Sequence, residues 1–293
     1  MRNKNPIFLF CLSRGGSNIF WNLFLTHPGV CSPIHETLEI FRIDPRAPTW
    51  EGYFAAILST QPRLFDQWHL QSRRPITNLT KEFIDKTLYR RKLRTFKDQE
   101  MRFKYDTQAY TLEEVENARL VTKNNNGLVY LKEMFADIYP EAICFALVRD
   151  PIPLYESHKR RKISKSIEDF AKKYITITGR MIRDAETSNR YHLVRFEDIL
   201  NDPIGSTKNI YEKADLDFQK IKKMRFRAKP HYRPDGTYGS NYQTYNHHWF
   251  DFQNVYQIIN PDINKYHTRQ LSPQETETIR QITQERRSYF DYS

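Results

Sequence analysis

The stretch that decides the fold is PIFLFCLSRGGSNIFWNLFLTH, residues 6–27. Its apolar run at 7–12 is typical of a strand that is buried on both faces. Small and polar residues follow at 13–17, and apolar residues then return at helical spacing. The pattern predicts a strand, a tight glycine turn and a helix. Such a turn presents backbone N–H groups at a helix N-terminus, where they can bind an anion.

Two common nucleotide motifs do not fit this turn. When the last position of the Walker A motif is placed on Ser17, Gly16 stands where the lysine belongs and Phe10 stands where the first glycine belongs. The dinucleotide fingerprint G-x-G-x-x-G is also absent. Arg14 nevertheless adds a positive charge to the turn, and Asn18 adds a hydrogen-bond donor. The alternative is a plain tight turn between a strand and a helix.

The composition indicates an anionic partner. The 293 residues include 46 Lys and Arg against 35 Asp and Glu, which gives a net charge of +11. A phosphorylated cofactor, an acidic glycan, nucleic acid or a membrane surface would suit this excess, and so would a basic surface without a partner. The length is enough for one large α/β domain, and we expect a single domain over residues 1–293.

The cysteines and the apolar runs bear on location. Cys11, Cys31 and Cys144 are odd in number and widely spaced, which argues against a disulfide framework and against a zinc site. We therefore expect no metal and a reducing, cytoplasmic setting. No run approaches about 18 apolar residues, so we expect no membrane span. The first apolar run is too short for a signal peptide.

Strands and helices alternate along the rest of the chain. Further buried strands are predicted at 127–131, 142–148 and 191–196, with a short one at 30–32. Helices are predicted near 50–58, 80–94, 111–123, 135–139, 166–187, 202–214 and 272–289, and capping boxes begin those at Thr111 and Ser272. Residues 227–250 read as a long functional loop. This alternation predicts a mostly parallel sheet, whose strand ends meet at one edge where ligands bind. Polar pairs follow the strands there, at 13–14, 132–133, 149–150 and 197–198.

Together these motifs resemble the PAPS-dependent sulfotransferase superfamily, in its bacterial and Golgi-type branch (PAPS is 3′-phosphoadenosine-5′-phosphosulfate). The family's P-R-S-G-[ST]-T loop, which binds the 5′-phosphosulfate end, is similar to SRGGSN at residues 13–18. Its R-D-P-x-x-x-x-x-S motif, which holds the 3′-phosphate, is matched from Arg149 to Ser157. Its L-R-Y-E-D-L-L-x-D-P segment resembles residues 194–203. Gly15 and Asn18 depart from the usual Ser and Thr.

The resemblance implies an α/β, P-loop-like three-layer domain with a mostly parallel central sheet flanked by helices. It also implies that PAPS is the cofactor, and that the nucleotide is bound by Arg14, Gly15, Gly16, Ser17, Asn18, Ile19, Arg149, Ser157 and Arg161. No nucleic acid is expected as a partner. Golgi members begin with a membrane anchor, and we expect none here, although an anchor removed from the chain stays an open alternative.

The implied reaction moves a sulfuryl group from PAPS to a hydroxyl group, with an amine as the second choice, and leaves PAP. Arg14 and Lys132 would stabilise charge in the transition state without a metal. Glu36 would be the general base. His35 is its rival, because cytosolic members of the family use a His from a different position. Neighbours in an extended segment point in opposite directions, so only one of the two should face the site.

Two other classes of function stay open. One is a small-molecule kinase-like nucleotide enzyme, against which the missing Walker lysine argues. The other is a non-catalytic protein that binds polyanions or nucleic acid through its +11 charge. The acceptor is also open among small alcohols, natural-product alkaloids, glycans and tyrosyl peptides, as is the oligomeric state. The acceptor pocket, or alternatively an aromatic loop packed on the core, would involve Tyr238, Tyr242, Tyr245, His247, His248 and Trp249.

Overall fold

The computed structural model describes residues 1–33, 50, 77–105, 108–227, 231–232, 238–239, 247–267 and 270–292. The strands are β1 (Ile7–Cys11), β2 (Val30–Cys31), β3 (Phe103–Tyr105), β4 (Gln108–Ala109), β5 (Arg119–Asn125), β6 (Ile143–Val148), β7 (Tyr191–Arg195), β8 (Lys223–Arg227), β9 (His231–Tyr232), β10 (Tyr238–Gly239) and β11 (His247–Asp251). Predictions for His35, Glu36, most of the helix near 50–58, Tyr242 and Tyr245 lie outside the described residues.

The α-helices are α1 (Ser17–Leu25), α2 (Asn78–Arg94), α3 (Leu112–Asn117), α4 (Lys132–Ile138), α5 (Pro151–Arg160), α6 (Ile167–Glu186), α7 (Phe196–Asn201), α8 (Pro203–Lys213), α9 (Phe252–Ile258), α10 (Asp262–His267), α11 (Pro273–Ile282) and α12 (Gln284–Tyr289). Short 3₁₀ helices lie at Thr95–Lys97, Asn126–Leu131 and Phe218–Lys220. Over the described ranges, no helix is both long and apolar enough to cross a bilayer.

A five-stranded sheet in the order β2-β5-β1-β6-β7 forms the centre of the fold. β1 pairs in parallel with β5, with Ile7 opposite Val121 and Cys11 opposite Asn125. β2 also pairs in parallel with β5. All five residues of β1 are fully buried, as the apolar run predicted. The mostly parallel sheet with flanking helices confirms the predicted α/β class.

Side-chain caps fix where many of the helices begin, because an Ncap oxygen satisfies an N–H group of the first turn that has no partner within the helix. The caps are Thr77 for α2, Thr111 for α3, Asp150 for α5, Ser166 for α6, Asp202 for α8 and Ser272 for α11. The predicted capping boxes at Thr111 and Ser272 are both confirmed.

Contacts divide the chain into two compact units. The first comprises Met1–Cys11 and Phe24–Phe145, and the second comprises Leu12–Leu23 and Ala146–Ser293. The prediction of one domain stays a prediction. In the first unit, the ring of Phe8 stacks on Phe135 with centroids 4.0 Å apart.

The N-terminus of the first unit is tied to α2. The buried carboxylate of Asp85 accepts hydrogen bonds from the backbone N–H groups of Arg2 and Asn3 and from the hydroxyl of Tyr139. Lys92, on the same helix, is also buried, and its ammonium donates to the carbonyl groups of Glu116 and Ala118. Burial lowers the pKa of Lys92. Both buried charges are thus hydrogen-bonded to neutral groups within the first unit.

The second unit contains the turn after β1 and most of the C-terminal half of the chain. Its longest helix, α6, contributes Phe170 and Tyr174 to the core. The hydroxyl of Tyr174 donates to the carbonyl of Arg149 at 3.1 Å, so α6 is bonded to the end of β6. An antiparallel pair, β8 and β11, also belongs to this unit.

One strand was placed wrongly from the sequence. Residues 126–131 form a 3₁₀ helix, and the strand is the preceding β5, so the helix predicted to reach residue 123 ends at Asn117. The second half of β5 is polar, which hid it from a search for apolar runs. Thr122 and Asn124 are nevertheless fully buried, because the amide of Asn124 donates to the hydroxyl of Thr122 at 3.0 Å and to the carbonyl of Leu9 at 3.3 Å.

Two further assignments need correction. The region predicted as a loop contains β11, whose residue His247 pairs with Arg227 of β8. Basic residues alternate with apolar ones in β8, so the strand pattern was masked by charge. The terminal helix is interrupted at Thr283, which separates α11 from α12.

Candidate active site

The turn after β1 is held in a conformation that requires glycine at one position. Arg14 has φ 67° and Gly16 has φ 93°, both in the left-handed region. A Cβ atom at Gly16 would lie 2.2 Å from Cε2 of the buried Phe196 ring. The N–H of Gly15 donates to the carbonyl of Leu12 at 3.0 Å and closes the turn. The loop therefore packs directly on an aromatic ring before α1 begins.

Arg149, at the end of β6, contacts this loop from the same unit. Its Nη1 donates to the carbonyl of Arg14 at 2.9 Å, and its guanidinium carbon lies 4.9 Å from the centroid of Phe196. The side chain is only 4% exposed. Burial lowers the pKa of Arg149 to about 10, against the opposing effect of the carboxylates of Glu197 and Asp150. The guanidinium therefore keeps its charge at neutral pH.

Ser157 joins the two predicted motifs. Asp150 caps α5 by accepting from the N–H of Ile152 at 3.0 Å, and Ser157 follows on this helix. Nε of Arg14 donates to the hydroxyl of Ser157 at 3.2 Å. Arg14, Arg149 and Ser157 come from two separate motifs, and the structure brings them together.

Asn264 of α10 extends this cluster and was not predicted. Nε and Nη2 of Arg149 both donate to Oδ1 of Asn264, at 3.0 and 2.6 Å. The other end of the amide, Nδ2, donates to Oε1 of Glu197 at 2.8 Å. The same carboxylate oxygen accepts from the N–H of Asp150 at 3.1 Å. A contact across 115 residues of sequence has no local signal from which Asn264 could have been found.

His158 is a second residue that the sequence reasoning missed. Its Nε2 lies 2.9 Å from the carbonyl oxygen of Ser13, and its Nδ1 lies 3.0 Å from the hydroxyl of Ser164. Because a carbonyl only accepts, Nε2 carries the proton, and the neutral ring accepts at Nδ1. Burial lowers the pKa of His158, and the charges of Arg14 and Arg149 lower it further. The sequence feature that could have indicated His158 is its position directly after Ser157.

The other predicted binding residues lie as follows. Ser17 is buried at the start of α1, Asn18 and Ile19 are half-buried in its first turn, and Arg161 follows α5 and is exposed. Lys132 is the first residue of α4, in the first unit, and follows a 3₁₀ helix rather than a strand. The roles of all these residues stay predictions.

Three of the residues predicted for an acceptor pocket, His247, His248 and Trp249, lie in β11, which pairs with β8. His247 and Trp249 lie opposite Arg227 and Arg225, so these four side chains share one face of the pair. His248 is on the other face. Burial and the neighbouring arginines lower the pKa of His247 to about 3. Within the described ranges, no cluster of three or more His, Cys, Asp or Glu side chains is suited to a metal ion.

Comparisons with known proteins agree with the family resemblance and with the fold. A family model described as "Sulfotransferase family" matches residues 6–220, which include both motifs but not Asn264. The fold is similar to the sulfotransferase domain of the olefin synthase of Synechococcus PCC 7002, at 18% identity and a TM-score of 0.51, over 96% of this chain and 95% of that one. It is also similar to the sulfotransferase domain from the curacin biosynthetic pathway, at 14% identity and a TM-score of 0.52, over 100% and 99% of the two chains. No curated protein gives a significant sequence match.

Proposed function

Because the chain belongs to the sulfotransferase family, we propose that it transfers the sulfuryl group of PAPS to a hydroxyl group of an acceptor and releases PAP. One observation carries this proposal. Arg14, in the loop at the start of α1, contacts both Ser157, through its Nε at 3.2 Å, and Arg149, through its carbonyl at 2.9 Å. Two guanidinium groups and a hydroxyl beside a helix N-terminus suit a nucleotide that carries phosphate at both its 5′ and its 3′ position.

The donors of Arg149 fit an anion. A guanidinium has five N–H donors, and the hydrogen bonds to Asn264 and to the Arg14 carbonyl use three of them. Among contacts with the described residues, one N–H on each terminal nitrogen is left for a ligand. We assign this fork and the Ser157 hydroxyl to the 3′-phosphate, and Arg161 to the edge of the same site.

The N-terminus of α1 supplies the second half of the site. The first N–H groups of a helix have no acceptor within it, so the first turn, which contains Ser17, Asn18 and Ile19, can receive the 5′ end of the nucleotide. Gly15 contributes by lacking a side chain, since its own N–H already bonds Leu12. We therefore infer that Gly16 and the residues after it, rather than the amide of Gly15, face the anion.

Bound PAPS supplies an activated sulfuryl group. We assign to Arg14 and Lys132 the stabilisation of negative charge on the oxygens around the reacting centre. We assign to Glu36 the removal of the acceptor's proton, with His35 as the alternative. His247 is a weaker base than an ordinary glutamate of pKa about 4.3, because its own pKa is about 3.

The burial of Arg149 distinguishes this proposal from polyanion binding. A guanidinium that is 4% exposed and hydrogen-bonded within the protein cannot reach the phosphates of a flat or extended polymer. It can contact a small anion that enters the loop. The charge of +11 then contributes general attraction for anions rather than the specific site.

Thermal unfolding in the presence of nucleotides tests the donor assignment. At about 100 times its dissociation constant, PAP should stabilise the fold by about 2.7 kcal/mol. Adenosine 5′-phosphate (AMP), which lacks the 3′-phosphate, should stabilise it far less at the same concentration. Arg149→Ala should lose the response to PAP, and Arg280→Ala, at an exposed ion pair with Glu277, should keep it. Equal shifts with PAP and AMP in the parent protein would refute the 3′-phosphate assignment.

A further inference from the structure

Asn264 belongs to the candidate site but lies outside the part of the chain that the family model matches. The match ends at residue 220, whereas Asn264 lies in α10. Its amide stands between a buried cation, Arg149, and the carboxylate of Glu197, and it bonds both.

The two partners fix the orientation of this amide. Arg149 has donors only, so it requires the oxygen of the amide, and the carboxylate of Glu197 accepts from the nitrogen. Glu197 is itself held, because its Oε1 also accepts from the N–H of Asp150 at 3.1 Å. The amide oxygen is therefore fixed on the edge of the guanidinium formed by Nε and Nη2.

Three contacts then define the plane and the rotation of the guanidinium of Arg149. Asn264 holds one edge, the carbonyl of Arg14 binds Nη1 at 2.9 Å, and the ring of Phe196 covers one face with its centroid 4.9 Å from the guanidinium carbon. A planar fork that is already oriented loses little conformational freedom when it binds a ligand.

The chemistry of an amide suits this position better than that of a carboxylate. A carboxylate in direct contact would cancel the charge of Arg149 and compete with an anionic ligand. Asn264 holds the guanidinium through a neutral oxygen, so the positive charge remains for the ligand.

We propose that Asn264 is a positioning residue that sets the preference of this site for nucleotides with a 3′-phosphate, by fixing the fork of Arg149 that receives that phosphate. This inference rests on the proposed function. A purely structural role for α10 would change the affinities for PAP and AMP alike, whereas the proposed role changes only the affinity that depends on the 3′-phosphate.

The test compares the dissociation constants of PAP and AMP by calorimetry in four proteins. In Asn264→Ala, the affinity for PAP should fall roughly 3- to 10-fold, because the fork of Arg149 must then be ordered when the ligand binds, and the affinity for AMP should change less than about twofold. Asn264→Asp should also bind PAP more weakly while its affinity for AMP stays nearly unchanged. The substitution places a second carboxylate beside Glu197 and a negative charge beside Arg149. Asn254→Ala, the same substitution at an exposed position, should match the parent.

The possible outcomes separate the two proposals. A parent protein that does not prefer PAP to AMP overturns the proposed function, and this inference with it. A parent that prefers PAP, with an unchanged preference in Asn264→Ala, overturns only the role of Asn264. Tighter binding of PAP by Asn264→Ala also overturns it, since Oδ1 would then occupy the place of the phosphate. If Asn264→Ala does not fold, Asn264→Asp and Asn264→Ser decide by the same ratio.

Discussion

Replacing Gly16 by alanine tests directly whether the loop after β1 packs on the ring of Phe196. The backbone at Gly16 has φ 93°, which costs an alanine about 1–2 kcal/mol. The new Cβ would lie 2.2 Å from Cε2, 2.3 Å from Cδ2 and 2.9 Å from Cζ of Phe196, a rigid ring in the core. Overpacking of this kind costs about 1–3 kcal/mol. We therefore expect Gly16→Ala to lower the free energy of unfolding by about 2–5 kcal/mol.

A double-mutant cycle separates the two causes. Phe196→Val removes all three ring atoms that the new Cβ would meet, so in that background Gly16→Ala should cost only the backbone part, about 1–2 kcal/mol. Urea unfolding with an unchanged slope gives each value. Gly179→Ala is the control, because its Cβ would meet only the flexible end of Arg286 at 3.1 Å, and alanine favours helix. A cost below about 1 kcal/mol, or an equal cost in both backgrounds, would contradict the packing of the loop on Phe196.

Three further predictions concern the base, pH and the loop. Glu36→Gln should lower kcat by roughly 10²–10⁴ with little change in nucleotide affinity, and His35→Asn should cost much less; the reverse result in steady-state assays would give the role to His35. Because the pKa of His247 in the fold, about 3, is below its unfolded value, the unfolded state binds more protons as pH falls. Stability should therefore drop by about 1–2 kcal/mol between pH 7 and 5, and His247→Gln should flatten that dependence in urea titrations; an unchanged slope would contradict it. His158→Phe should speed amide exchange in the loop after Ser13, whereas His158→Gln, which can still donate, should do so less; equal exchange in both would contradict the role of this hydrogen bond.

Local patterns were sufficient where one motif fixes one element. The apolar run of β1, the glycine turn and the helix after it were predicted because burial and glycine conformation act over a few residues. The sequence prediction placed strand β5 at the wrong residues because Thr122 and Asn124 are polar and yet buried. Their hydrogen bonds are satisfied by each other and by the carbonyl of Leu9. A search for apolar runs cannot detect such a strand.

In the candidate site, too, residues that belong to motifs were predicted and residues that depend on distant partners were not. Arg14, Arg149 and Ser157 were named from motifs that keep a fixed spacing, and the structure brings them together. Asn264 and His158 were missed because their roles depend on partners 115 and 145 residues away. No local pattern specifies an asparagine that faces an arginine across the fold.

The most direct test of the central claim is a search for sulfated products. The protein is incubated with PAPS and an extract of small molecules, glycans and peptides from cells that produce the protein, and mass spectrometry detects compounds that gain one SO₃ group together with the formation of PAP. We expect such a compound with the parent protein and with Arg280→Ala, and its loss with Arg149→Ala or without PAPS. If ATP in place of PAPS yields a phosphorylated compound, or if no compound gains SO₃ while PAPS stays intact, the chain is not a PAPS-dependent sulfotransferase.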